Sequence, residues 1–108
     1  LGVPENRIDQ DISDVLVAPP SRPLEQERLL WRVARNLDLI PSRMKLAGLE
    51  ATRGGLADKP DKERRLAQIL ERLKDQYDVA IIDCSPAIGL LTFNALAAAQ
   101  LVLIPVET

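Results

Sequence analysis

The sequence predicts an α/β fold with a parallel sheet, and three observations carry that prediction. Val79-Ala80-Ile81-Ile82 is continuously apolar, as a strand covered on both faces is. Leu101-Val102-Leu103-Ile104 is a second run of the same kind, and the alanine-rich residues 92–99 between them read as helix. Upstream, Leu37-Asp38-Leu39-Ile40 alternates and stops at Pro41, the pattern of a short strand, and a helical pattern follows Pro60. Residues 37–108 therefore read as βαβαβ, which predicts parallel strands joined by right-handed crossovers. Residues 1–36 read as helical, and the whole chain as one partial domain.

The elements follow in order. Ile8, Ile12, Val15 and Leu16 fall at i, i+4, i+7 and i+8, a helical stripe that Asp11 or Ser13 caps and Pro19-Pro20 ends. A second helix is predicted over residues 24–34, with Leu30, Val33 and Ala34 turned inward and Trp31 near the edge. In residues 42–60, Gly48, Gly54, Gly55 and Pro60 punctuate the chain, and Arg53-Gly54-Gly55 reads as a loop. Beyond Pro60, Leu66, Ile69, Leu70 and Leu73 mark one helix face. Asp61, Lys62, Arg64, Arg65, Glu71, Arg72 and Lys74 make up the solvated remainder. Asp61 and Arg65 are spaced as an i,i+4 ion pair in the favourable order.

Composition narrows the chemistry. Hydrophobic residues make up 46% of the 108, enough for a packed core. A single Trp, Tyr and Phe leave that core to aliphatic side chains. One cysteine and no histidine exclude an intramolecular disulfide, a Cys/His zinc cluster and a His-based triad. A net charge of −2 gives no general attraction to nucleic acid. No apolar run approaches the ~20 residues of a membrane span. The expectation is a soluble, cytosolic α/β segment with both ends cut, since Leu1 is not an initiator methionine.

Asp83 is the leading candidate for chemistry. It follows the apolar run 79–82 directly, so its carboxylate is expected at the carboxyl edge of the sheet, where open α/β folds place their ligands. A hard oxygen there suits magnesium, and an acid in this context completes the magnesium shell of P-loop NTPases. The plainer reading is an aspartate capping the next turn. Cys84, Ser85, Pro86 and Gly89 form the connection that follows. Such a turn reorders beside a departing phosphate or is an ordinary strand-to-helix link. Ser85 lacks both a histidine partner and the nucleophile-elbow pattern, and Cys84 reads as a small buried hydrophobe. Pro105, Glu107 and Thr108 end the last predicted strand on the same sheet edge as Asp83. They are candidates for a base or ribose contact, against a plain strand terminus.

Read as one block, YDVAIIDCSPAIGLLTFNALAAA followed by LVLIPVET resembles the ParA/Soj branch of the deviant Walker-A ATPases. LDLIPSRMKLAGLE and LGVPENRIDQDISDVL resemble earlier parts of the same family in the same order, so the resemblance covers nearly the whole chain. It implies the middle of a doubly wound P-loop NTPase-like domain. It implies ATP and magnesium as cofactors, a homodimer in the ATP state, nonspecific DNA binding and stimulation by a ParB-type partner. The implied location is the cytoplasm, on the nucleoid and away from membrane. Position by position, Asp83 matches the Walker B aspartate, Cys84 through Gly89 the switch-like loop, and Pro105 to Thr108 the segment near the nucleotide base.

This sequence departs from the family in several places. It contains no Gly-rich loop with its two lysines, no first-motif aspartate and no basic DNA-gripping surface. Ser85 stands where a proline is usual, and Gln100 where an acid is common. Loop amides and the lysine provide most phosphate binding in such enzymes, so the chain alone is expected to be inactive. Two other readings compete: a non-catalytic, degenerate ATPase module acting by protein interaction, and a MinD-like membrane-cycling ATPase, which requires an amphipathic tail.

Overall fold

The computed structural model describes residues 3–43, 46, 48–50, 55–84 and 88–106. The chain forms two compact units, Leu1–Lys59 and Pro60–Thr108.

In the first unit a 3₁₀ turn at Glu5–Arg7 precedes helix α1 (Ile12–Val17) and the short helix α2 (Gln26–Leu29). Strands β1 (Trp31–Ala34) and β2 (Leu37–Leu39) follow. Helix α1 starts where its polar residues dictate. Asp11 accepts a hydrogen bond from the Asp14 amide at 3.2 Å, and Asp14 accepts one from the Asp11 amide at 2.9 Å. This reciprocal arrangement is a capping box. The helix stops at Val17, and Ala18, next to Pro19, is extended. Ile8, expected on the α1 stripe, is buried but lies ahead of the helix. Its companions in the core are Leu16, Leu29 and Leu56.

The predicted helix over residues 24–34 is corrected by the structure. Only Gln26–Leu29 is helical, Leu30 is extended, and Trp31–Ala34 is strand. Four residues form too short a helix to stand on propensity, while Trp31 and Val33 alternate half-buried with exposed neighbours as strand residues do. The two-residue connection Arg35-Asn36 turns the chain back, with Asn36 at φ 58° in the left-handed region that asparagine tolerates. Trp31 then pairs with Leu39 and Arg32 with Asp38 in antiparallel register, with an irregularity between Arg32 and Ala34. The Arg32 guanidinium bonds the Asp38 carboxylate across that pair.

A buried polar cluster anchors the start of α1. Asp11 is fully buried and accepts hydrogen bonds from Ser13 Oγ and, at 3.0 Å, from Arg43 Nε. Arg43 also donates to the Ile8 carbonyl and to Asp14, each at 3.2 Å. The Ile12 amide donates to the Pro41 carbonyl at 2.9 Å. Burial pushes the Asp11 carboxyl up, but the bonds from Ser13, Arg43 and Asp14 outweigh it and hold it at about 2, below the ordinary 3.8. A carboxyl depressed on folding stabilises the folded state above its unfolded pKa and ceases to do so as pH falls towards the folded value. Acid titration is therefore expected to remove on the order of 2 kcal/mol of Asp11-linked stability between about pH 4 and pH 2. Denaturant midpoints across that range check this: the wild type loses stability there, and Asp11→Ala lacks this component of the loss.

The second unit is built on α3 (Arg65–Leu73), flanked by 3₁₀ turns at Lys62–Arg64 and Lys74–Gln76, and on α4 (Leu90–Ala98). Ile69 and Leu73 are buried and Leu66 and Leu70 half-buried, the helix face predicted for them. Helix α3 packs on α4, which contributes buried Ala95. Two expectations about the charged residues change. Asp61 stands outside α3 at φ 52°, so the helical i,i+4 spacing to Arg65 does not arise. Arg65 is buried rather than solvated, and its Nε donates to the Pro60 carbonyl at 3.0 Å.

The α/β character stands, with helices beside one strand pair. The parallel βαβαβ sheet does not appear among the described residues, whose single sheet is the antiparallel pair β1–β2. Residues 79–82 and 101–104 run without strand pairing, with Ile81 90% and Leu103 92% exposed. Parallel strands draw every ladder bond from neighbouring strands, so apolar composition alone does not pair them.

Candidate functional site

Asp83 and Cys84 are exposed, in a stretch without regular secondary structure that begins at Tyr77. The Cys84 thiol lies 3.8 Å from the Ile82 carbonyl. The expectation of a buried Cys84 is thereby corrected: the residue is exposed, in a stretch without regular secondary structure. Ser85 and Pro86 lie outside the described residues, as do Glu107 and Thr108. Gly89 leads directly into α4. Pro105 is exposed on the far side of that helix in sequence.

One accessible carboxylate is the share that a protein commonly contributes to magnesium when substrate phosphates and water complete the shell. Asp83 fits that share by chemistry and exposure. No group of three or more His, Cys, Asp or Glu side chains that could cage a metal exists among the described residues. No helix among them is long and apolar enough to cross a membrane.

A shallow hollow of about 350 Å³ lies in the first unit, lined by Arg7, Asp9, Glu27, Arg28, Trp31 and Arg32. It contains none of the predicted site residues. Arg28 bonds both Asp9 oxygens, at 2.6 and 2.8 Å, and also Glu25 at 2.6 Å. The Arg28 hydrogen bond lowers the Asp9 pKa, and Asp9 in turn raises that of Arg28. These groups are about half exposed, so solvent screens their pairing.

The polar residue that sequence reasoning missed is Asn94. It is buried in α4, whose other residues are apolar apart from Thr92. Its Nδ2 donates to the Lys62 carbonyl at 2.7 Å and to the Leu90 carbonyl at 2.9 Å. Its Oδ1 accepts from the Leu66 amide at 3.1 Å. Leu66 lies in the first turn of α3, where amides have no partner within the helix, so Asn94 caps α3 from another helix. The available signal was a lone amide in an apolar helical run, since such a group is buried only when its bonds are met.

The AAA domain family matches residues 1–108. The chain belongs to that family and is of the ParA/Soj type. It is 38% identical over 107 residues to the sporulation initiation inhibitor protein Soj of Bacillus subtilis, covering 99% of this chain and 40% of the relative. It is 40% identical over 107 residues to the chromosome partitioning protein ParA of Myxococcus xanthus, covering 99% and 36%. An uncharacterized protein of Mycobacterium tuberculosis, Rv1708, is 39% identical over 107 residues, covering 99% and 32%. The chain thus spans 32% to 40% of the length of these relatives. No solved structure matches it significantly.

Proposed function

We propose that this chain is part of an ATPase that partitions chromosomes or plasmids and works on magnesium-ATP. The observation that carries the reading is the likeness, over 107 residues, to relatives named Soj and ParA. In this reading residues 1–108 are one part of a larger doubly wound domain. Residues 79–82 and 101–104 are then inner parallel strands. Their exposed apolar side chains support this, because a stretch apolar on both faces calls for covering layers. Asp83 stands at the carboxyl edge of its strand and takes one place in the magnesium shell. Cys84 to Gly89 form the connection beside the terminal phosphate. Pro105, Glu107 and Thr108 lie near the base.

Magnesium-ATP supplies the transferable phosphoryl group and spreads its developing charge. Asp83 would hold the magnesium of that complex, directly or through water, and so help to orient the phosphates. The protein dimerises with ATP bound, and a ParB-type partner stimulates it. It meets DNA without sequence preference through regions outside this chain, in the cytoplasm and on the nucleoid rather than on a membrane.

The test compares two purified proteins, the full-length protein and residues 1–108. The full-length protein is expected to hydrolyse ATP in the presence of magnesium. Residues 1–108 are expected neither to bind ATP tightly nor to hydrolyse it, because loop amides and lysine supply most phosphate binding. An inactive full-length protein overturns the reading, and robust magnesium-dependent turnover by residues 1–108 overturns the assignment of phosphate binding to other regions.

A further inference from the structure

Helix α4 poses a packing problem that its apolar residues do not solve. Leu90–Ala98 reads LLTFNALAA, apolar on almost every side. A helix without a distinct stripe has no pattern to choose which face packs inward or how far it slides along a neighbour. Phe93 and Leu96 remain about half exposed while Asn94 and Ala95 are buried. The buried polar residue therefore makes the choice. A one-turn slip of about 5.4 Å would break the Asn94 bonds to Lys62 and Leu66 at once and strand a buried amide.

The position of that choice is what matters. Asn94 bonds the Leu90 carbonyl, the first residue of α4, and the Phe93 amide bonds the Gly89 carbonyl at 3.0 Å. Gly89 stands six positions after Asp83. Through its bonds to Lys62 and Leu66, Asn94 fixes Gly89 and Leu90 against the start of α3. We propose that Asn94 is a positioning residue, which sets where the chain leaving Asp83 enters α4 and so fixes the downstream end of that connection. The proposal rests on the ATPase reading for its kinetic consequence, and on the hydrogen bonds alone for its structural one.

The variants are Asn94→Asp, which keeps the acceptor for Leu66 and loses both donations, and Asn94→Leu, which loses all three bonds at similar volume. In the full-length protein, kcat for magnesium-ATP is expected to fall by about 10²-fold through misplacement of the connection. KM is expected to change by less than about twofold, since Asn94 does not touch substrate. Hydrogen exchange is expected to quicken at the Phe93 amide, which bonds the Gly89 carbonyl, in both variants, while the amides of Ile69 to Leu73 keep their protection. In the wild type, the Leu66 and Phe93 amides are expected to open together with one denaturant dependence, a measurement that needs no variant to fold.

An active wild type whose folded variants retain kcat overturns the proposal, as does independent opening of the Leu66 and Phe93 amides. If the wild type itself has no turnover, the ATPase reading fails. The positional tie is then decided by exchange: joint opening supports it and independent opening overturns it.

Discussion

Asp83→Asn in the full-length protein is expected to lower kcat for magnesium-ATP hydrolysis by about 10²-fold, equivalent to about 3 kcal/mol at 1.36 kcal/mol per decade. The substitution keeps shape and removes charge. Magnesium binds hard anionic oxygens and holds them in a strict geometry, so an amide oxygen is a poor replacement. Asp83 is exposed and outside the packed helices, so its loss should leave the fold intact. Unchanged far-ultraviolet dichroism and an unchanged denaturant midpoint would verify that. The magnesium concentration for half-maximal rate should rise in the same variant. Asp78→Asn is the control, an exposed carboxylate five positions upstream, and it should leave turnover unchanged. Wild-type turnover by Asp83→Asn would remove this residue from the site.

Asp11→Ala should be strongly destabilising in the first unit. It removes the cap of α1, worth about 1 kcal/mol, and leaves Arg43 without its buried carboxylate. Breaking a buried pair from one side costs about 3–5 kcal/mol. The Arg43 side chain remains 23% exposed and keeps its bonds to Ile8 and Asp14, which reduces that figure. A net loss of about 2–4 kcal/mol is expected from denaturant midpoints at neutral pH. Asp11→Ser should recover the capping part and not the ion-pair part, because serine accepts from the Asp14 amide but carries no charge. Equal stability of the serine variant and the wild type would show that the cap alone matters. The difference between wild type and Asp11→Ala should narrow as pH falls from about 4 towards 2, the window in which the wild-type carboxyl is neutralised.

Several elements were legible in the sequence because their causes are local. Asp11, one of the two caps the sequence offered, is the residue that caps α1. The apolar spacing from Leu66 to Leu73 repeats every three or four residues, and α3 buries that face. The alternation at Leu37–Leu39 gave a strand that stops before Pro41. The family was legible as well, since the block around Asp83 and the two upstream segments occur in order along nearly the whole chain.

Other features were not legible, because each depends on a partner that linear spacing does not reveal. Trp31–Ala34 reads as the end of a helix until Leu37–Leu39 folds back on it, and the ladder then outweighs helix propensity. Arg65 looked solvated in a charged helix but is buried, with the Pro60 carbonyl as acceptor. Arg43, in a stretch that gave no clear pattern, reaches back 32 residues to Asp11. Asn94 looked like one more residue of an apolar block, and its chief partners lie 28 and 32 residues upstream.

From the linear sequence came the family, the end of α1 before Pro19, the buried face of α3, and the apolar character of the stretch that ends at Asp83. Capping and periodicity involve residues within four positions of one another, so a linear reading contains them whole. The tertiary structure alone decided that Trp31–Ala34 is strand, that Arg43 closes over Asp11, and that Asn94 registers α4 on α3. Those outcomes depend on which distant backbone groups lose water and need a partner, a quantity defined only once the chain has folded.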